Sequence, residues 1–74
     1  MKIDALIKMA NEIASFFEAE GDRTEATRLM AVHLRRYWEP RMRREIIEHY
    51  EKGAAGLGEL AREGVALLAQ GNLK

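Results

Sequence analysis

The sequence predicts an all-α fold, a small antiparallel bundle of three to four short helices, and three observations carry that expectation. Alanine, leucine, glutamate, arginine and methionine dominate, whereas β-branched residues are scarce. Apolar residues recur at helical rather than alternating spacing. Gly21-Asp22, Pro40 and the glycines at 53 and 56 cut the chain into short stretches joined by short connections. At 74 residues, residues 1–74 make a single helical domain, near the lower limit for one unaided hydrophobic core. There is no repeat, low-complexity tract or interdomain linker.

The first helix follows Ile3, Leu6, Ile7, Ala10, Ile13, Ala14 and Phe17, with Met9 and Phe16 widening the stripe enough to touch two neighbours. Gly21 is expected to stop it. Asp22-Arg-Thr-Glu25 reads as a capping box, with Asp22 as N-cap and Glu25 reaching back. The second helix then runs from about Arg23 to Tyr37, with Ala26, Leu29, Met30, His33, Leu34 and Tyr37 on its apolar face. Pro40 forbids continuation and suits the first position of a third helix. That helix turns Met42, Ile46, Ile47 and Tyr50 inward and ends at Gly53 and Gly56. A last short segment carries Leu57, Leu60, Ala61, Gly64, Val65, Leu67 and Leu68, closed by Gly71-Asn72 before a tail expected to fray.

Composition also excludes. Without cysteine the sequence has no disulfide, thiolate nucleophile or sulfur-ligated metal. His33 and His49 lie too far apart for a helical ligand pair. One serine, two threonines and two aspartates form no recognisable catalytic constellation, and the glycines at 53, 56 and 58 follow no strand. Catalysis by the chain alone is therefore not expected. The Met1 end lacks the apolar run of a signal peptide and no stretch reaches membrane-spanning length, so a cytoplasmic protein that engages no membrane is the expectation. Net charge zero argues against nucleic acid as partner.

That neutrality hides segregation. Two lysines face five carboxylates in residues 1–22, seven arginines face two glutamates in 23–44, and five glutamates outweigh three cations beyond. Within the basic stretch, His33-Leu-Arg-Arg-Tyr-Trp-Glu-Pro-Arg-Met-Arg-Arg44 gathers five of the eight arginines with the single tryptophan and the single proline. A bland reading makes it a solvated face with Arg41–Glu45 and Arg44–Glu48 pairs, each contributing roughly 0.3–0.5 kcal/mol at best and in the weaker order. Arg41, Arg43 and Arg44 also crowd the positive end of the third helix, each opposing its dipole by about 0.3–1 kcal/mol. Arg43 falls inside the apolar arc and must snorkel out or meet an acceptor. Trp38 adds a flat amphipathic surface beside it. Arginine and tryptophan are enriched at binding hot spots. His33, Arg35, Arg36, Tyr37, Trp38, Arg41, Met42, Arg43 and Arg44 are thus the candidate site for a partner or an anion, whether carboxylate or phosphate. For His33 itself the favoured reading is a hydrogen-bonded core or interface histidine, and for His49 a shoulder of the third helix.

Phe16-Phe-Glu-Ala19, Asp22-Arg-x-Glu-Ala26 and the His33–Arg44 segment, together with Ile3-Asp-x-Leu-Ile-x-Met-Ala-Asn11 and Gly56-Leu57, resemble the delta subunit of NAD-dependent, molybdenum-containing formate dehydrogenases. The likeness spans nearly the whole chain. It departs at Gly21, where the family pattern has proline, and at Gly64, expected to loosen packing of the last helix. The resemblance implies a non-catalytic accessory subunit whose partner is the large catalytic (alpha) subunit. In the complex so implied, molybdenum bis-guanine dinucleotide, iron–sulfur clusters, FMN and NAD belong to other chains. The alternative is a module that binds nucleotides or the guanine dinucleotide cofactor through its arginines during insertion. The broad apolar stripe of the first helix also makes a homodimer an expectation for the isolated chain.

Overall fold

The computed structural model describes residues 2–71. Four helices occupy them: α1 (Ile3–Phe17), α2 (Arg23–Tyr37), α3 (Pro40–Glu51) and α4 (Glu59–Gln70), with no strand among the described residues. The expected closing Asn72 and the tail lie outside the described residues.

Leu6, Ala10 and Ala14 form the buried edge of α1, flanked by half-buried Ile3, Ile7, Met9, Ile13 and Phe17. Helix α1 packs on α2, α3 and α4, one neighbour more than its stripe suggests. It ends at Phe17, short of the expected stop at Gly21. The next stripe positions hold Glu20 and Gly21, which bury nothing, and Glu18 and Glu20 oppose the negative end of the helix. Gly21 does not take a positive φ, and a Cβ there would meet no atom within 4 Å.

Asp22 caps α2, its carboxylate accepting from the N–H groups of Thr24 (2.9 Å) and Glu25 (3.4 Å). The reciprocal half of the capping box is absent. Glu25 turns outward and accepts from Arg28 Nε at 3.0 Å and Nη2 at 2.6 Å, a charge-assisted fork that outcompetes a backbone N–H. The buried face of α2 also differs from the expected one. Ala26, Met30, Ala31 and Leu34 are buried, whereas Leu29 and His33 are half-buried and Tyr37 is exposed. The face is turned toward Ala31 because α4, lying across it, is the neighbour with which α2 packs most extensively.

Gly64 explains that closeness. A Cβ built on it would lie 2.6 Å from Met30 Sδ and 3.0 Å from Met30 Cγ. Rather than loosening α4, the glycine lets the fully buried Met30 seat directly on the α4 backbone. Ile46 of α3 and Leu60, Ala61, Val65 and Leu68 of α4 complete the core, with Met42, Ile47 and Tyr50 partly buried against it. Leu57 is buried ahead of α4 rather than within it. Gly71 ends α4 in the left-handed conformation, φ 73°, as a C-terminal glycine should.

Candidate functional site

The arginine-rich segment forms the corner between α2 and α3. Trp38 leaves helical geometry (φ −89°, ψ 140°) while its N–H still donates to Leu34 O at 3.0 Å. Glu39 is extended, as a residue before proline must be, and Pro40 opens α3. Trp38 is only 5% exposed. The flat aromatic surface expected there is therefore inside the protein. Trp38 follows Ala31 and Leu34 at helical spacing and continues their buried row under the corner.

Arg43 finds its acceptors across the corner. Its Nη1 donates to Arg35 O at 2.8 Å and to Trp38 O at 2.7 Å, capping carbonyls at the end of α2. The charge that opposes the dipole of α3 thereby complements that of α2, whose C-terminal end it neutralises. Helices α2 and α3 share little direct packing, and these two bonds tie them across the corner.

The other arginines point elsewhere. Arg41 Nε lies 3.5 Å from Glu45 Oε2 with its side chain 79% exposed, a weak surface pair. The described residues contain no Arg44–Glu48 pair within 4 Å, and Arg36 and Arg44 are exposed. Met42 is half-buried beneath them. Arg35 is exposed at its side chain and supplies its carbonyl to Arg43. Of the nine candidate residues, the structure thus turns Arg36, Tyr37, Arg41 and Arg44 outward and uses Trp38 and Arg43 inside the corner.

Sequence reasoning missed the surface adjoining the corner. Phe16 and Phe17 meet edge to face with centroids 5.1 Å apart, as do Phe17 and His33 at 6.0 Å, and the His33 and Tyr37 rings lie tilted at 4.8 Å. His33 is a half-buried member of this row rather than a core histidine. Phe16 and Tyr37 remain 76% and 70% exposed. A depression of about 390 Å³ is lined by Met9, Glu12, Ile13, Phe16, Phe17 and His33, and a separate one of about 470 Å³ by Tyr37, Glu39, Arg41, Met42 and Glu45. Phe16 sits beside the buried stripe of α1 rather than on it, and that offset was the available signal.

Elsewhere polar groups serve the fold. Arg23 Nε pairs with Glu63 Oε1 at 3.0 Å, and Thr27 donates to the same oxygen at 3.2 Å, joining α2 to α4. The hydrogen bond from Arg23 holds the Glu63 carboxyl below its usual range, and that from Arg28 does the same for Glu25. The open groove beside them, about 520 Å³, has both its arginines committed to carboxylates. Between α3 and α4, Asn11 of α1 donates to Gly56 O and accepts from Gly58 N–H, both at 2.9 Å. His49 Nε2 adds a 2.6 Å bond to Ala55 O, which places its proton on that nitrogen. Gly53, Ala54 and Gly56 supply the positive φ values of this tight connection.

Among the described residues no group of three or more His, Cys, Asp or Glu side chains is arranged to hold a metal, and no helix is long and apolar enough to cross a membrane. Residues 5–65 match the family model of the NADH-dependent formate dehydrogenase delta subunit FdsD. No curated protein and no solved structure matches the chain.

Proposed function

Because the chain belongs to the FdsD family of formate dehydrogenase delta subunits, we propose that it is a non-catalytic accessory subunit that docks on the large catalytic subunit in the cytoplasm. There it supports the stability or the cofactor-loaded state of that subunit. The observation that carries this reading is the corner itself. Trp38 and Arg43 hold it rigid from within, and Arg36, Tyr37, Arg41 and Arg44 project from it. Arginine forks suit carboxylates of a partner surface, and a corner already folded leaves only their side chains to be ordered when they engage. Molybdenum bis-guanine dinucleotide, iron–sulfur clusters, FMN and NAD belong, in this reading, to the other subunits. This sequence offers no thiolate for a cluster.

Co-purification tests it. A tagged wild-type chain should recover the large subunit, and a chain carrying Arg36→Glu, Arg41→Glu and Arg44→Glu should recover far less at equal expression. Equal recovery would overturn docking through the corner. The nucleotide-binding reading draws less support, because one nitrogen of Arg43 is spent on backbone carbonyls. A salt-sensitive rise in melting temperature with GDP would restore it.

A further inference from the structure

The half-buried Arg43 is pinned along one edge of its guanidinium and open along the other. Its Nη1 spends both hydrogens, on Arg35 O at 2.8 Å and on Trp38 O at 2.7 Å. Nε and Nη2 donate to no acceptor among the described residues, and no carboxylate there lies within 4 Å of the group. Among those residues no buried side-chain nitrogen or oxygen lacks a partner, so both nitrogens reach water. That combination sets Arg43 apart from the other arginines that project at the corner. Arg41 has Glu45 beside it, and Arg36 and Arg44 are exposed chains that must be ordered on contact. Arg43 is already ordered by its cap, and only neutral carbonyls balance its charge.

We propose that the open edge of Arg43 anchors the docking surface, its Nε–H and Nη2–H donating side by side to one carboxylate, an Asp or Glu side chain of the large subunit. The inference rests on the accessory-subunit reading above and names the residue and the ligand chemistry that fasten it. Geometry selects the ligand, because the two N–H bonds along that edge are coplanar and parallel and match the two oxygens of a carboxylate. Charge selects it over a phosphate. Glu39, whose carbonyl accepts the Arg43 backbone N–H, and Glu45 stand at the same corner. They would oppose a doubly charged phosphate about twice as strongly as a carboxylate, with a single pinned guanidinium to offset them.

Arg43→Lys separates capping from docking. An ammonium keeps the charge and can still donate to the two carbonyls, but it has no second edge with which to fork a carboxylate. In cells assembling the complete formate dehydrogenase, a tagged Arg43→Lys chain should recover about tenfold less large subunit, the loss of one charge-assisted hydrogen bond. Its melting temperature should stay above that of Arg43→Met. Gly64→Ala, which strains the seam between α2 and α4 instead, controls for stability and should recover the large subunit as the wild type does. In the assembled Arg43→Lys complex, a water-soluble carbodiimide should join position 43 to an Asp or Glu of the large subunit, identified by mass spectrometry. Full recovery with Arg43→Lys, or a loss no larger than that of Gly64→Ala, would overturn the proposal and leave Arg43 a cap alone. A cross-link only to Glu39 or Glu45, or none from position 43, would overturn it too. So would GDP that raises the melting temperature of the wild type but not of Arg43→Lys, which would put a phosphate on that edge. Failure of the wild-type chain to co-purify at all would instead bring down the accessory-subunit reading, and this inference with it.

Discussion

Replacing Arg43 with methionine removes the guanidinium and keeps most of the side chain's apolar stem. Two bonds are lost, to Arg35 O and Trp38 O. A hydrogen bond from a charged donor contributes about 1.5–3 kcal/mol when well buried. Arg43 is only half-buried, and water screens what it does not exclude, so about 0.5–1 kcal/mol per bond is the appropriate scale. Relief of repulsion at the start of α3 and loss of attraction at the end of α2 are each about 0.3–1 kcal/mol and oppose one another. The net destabilisation is therefore about 1–2 kcal/mol, or a fall in Tm of roughly 5–15 °C for a domain of this size. Circular dichroism melts of the purified chain read it directly. Arg44→Met, which removes an equal charge with no acceptor attached, should stay within about 0.5 kcal/mol. If Arg43→Met melted with the wild type, or if Arg44→Met fell as far, the corner would not be held by this cap.

Three further substitutions probe other joints. Gly64→Ala gains helix propensity of about 1 kcal/mol but drives a methyl into Met30, an overpacking of up to about 3 kcal/mol, so the urea midpoint should fall; a midpoint that rises would disprove the close approach of α2 and α4. Asn11→Ala should destabilise by about 1–2 kcal/mol and speed hydrogen exchange at the Gly58 amide, and unchanged protection there would refute the clamp. Glu63 and Glu25 titrate below the ordinary 4.5 when folded, so the stability they confer is present above that value and fades as pH falls through their lowered range. Glu63→Gln should accordingly flatten the loss of Tm on acidification, and parallel curves for variant and wild type would exclude the linkage.

The starts of α2 and α3 were legible because their signals are local. Asp22 and Pro40 mark α2 and α3 within one residue, since a cap and a missing N–H act on their own backbone. The end of α1 was not legible in the same way. Gly21 permits a stop, but the helix had already ended where burial ceased at Phe17. The candidate site was found as a segment and misjudged as a surface. Trp38 and Arg43 were expected to face a partner, yet Trp38 packs into the core and Arg43 commits Nη1 to capping the end of α2, a group that a helical wheel of α3 alone cannot display. The aromatic row was invisible for a related reason. Its rings come from two helices, and only tertiary packing brings Phe17 against His33.

The clamp of Asn11 on Gly56 and Gly58 spans more than half the chain to hold a seven-residue connection. Its consequence concerns the order in which the molecule can assemble. The hairpin of α3 and α4 is close in sequence and would ordinarily form early, but its joint is completed only when α1 arrives. Opening α1 releases that joint at the same moment, so the two ends of the chain should melt as one cooperative unit. Truncation through α1 would then remove more than a helix. It would leave α4 tethered to α3 by a connection that has lost its anchor at Gly56 and Gly58 and keeps only its own bonds, such as that from His49 to Ala55 O.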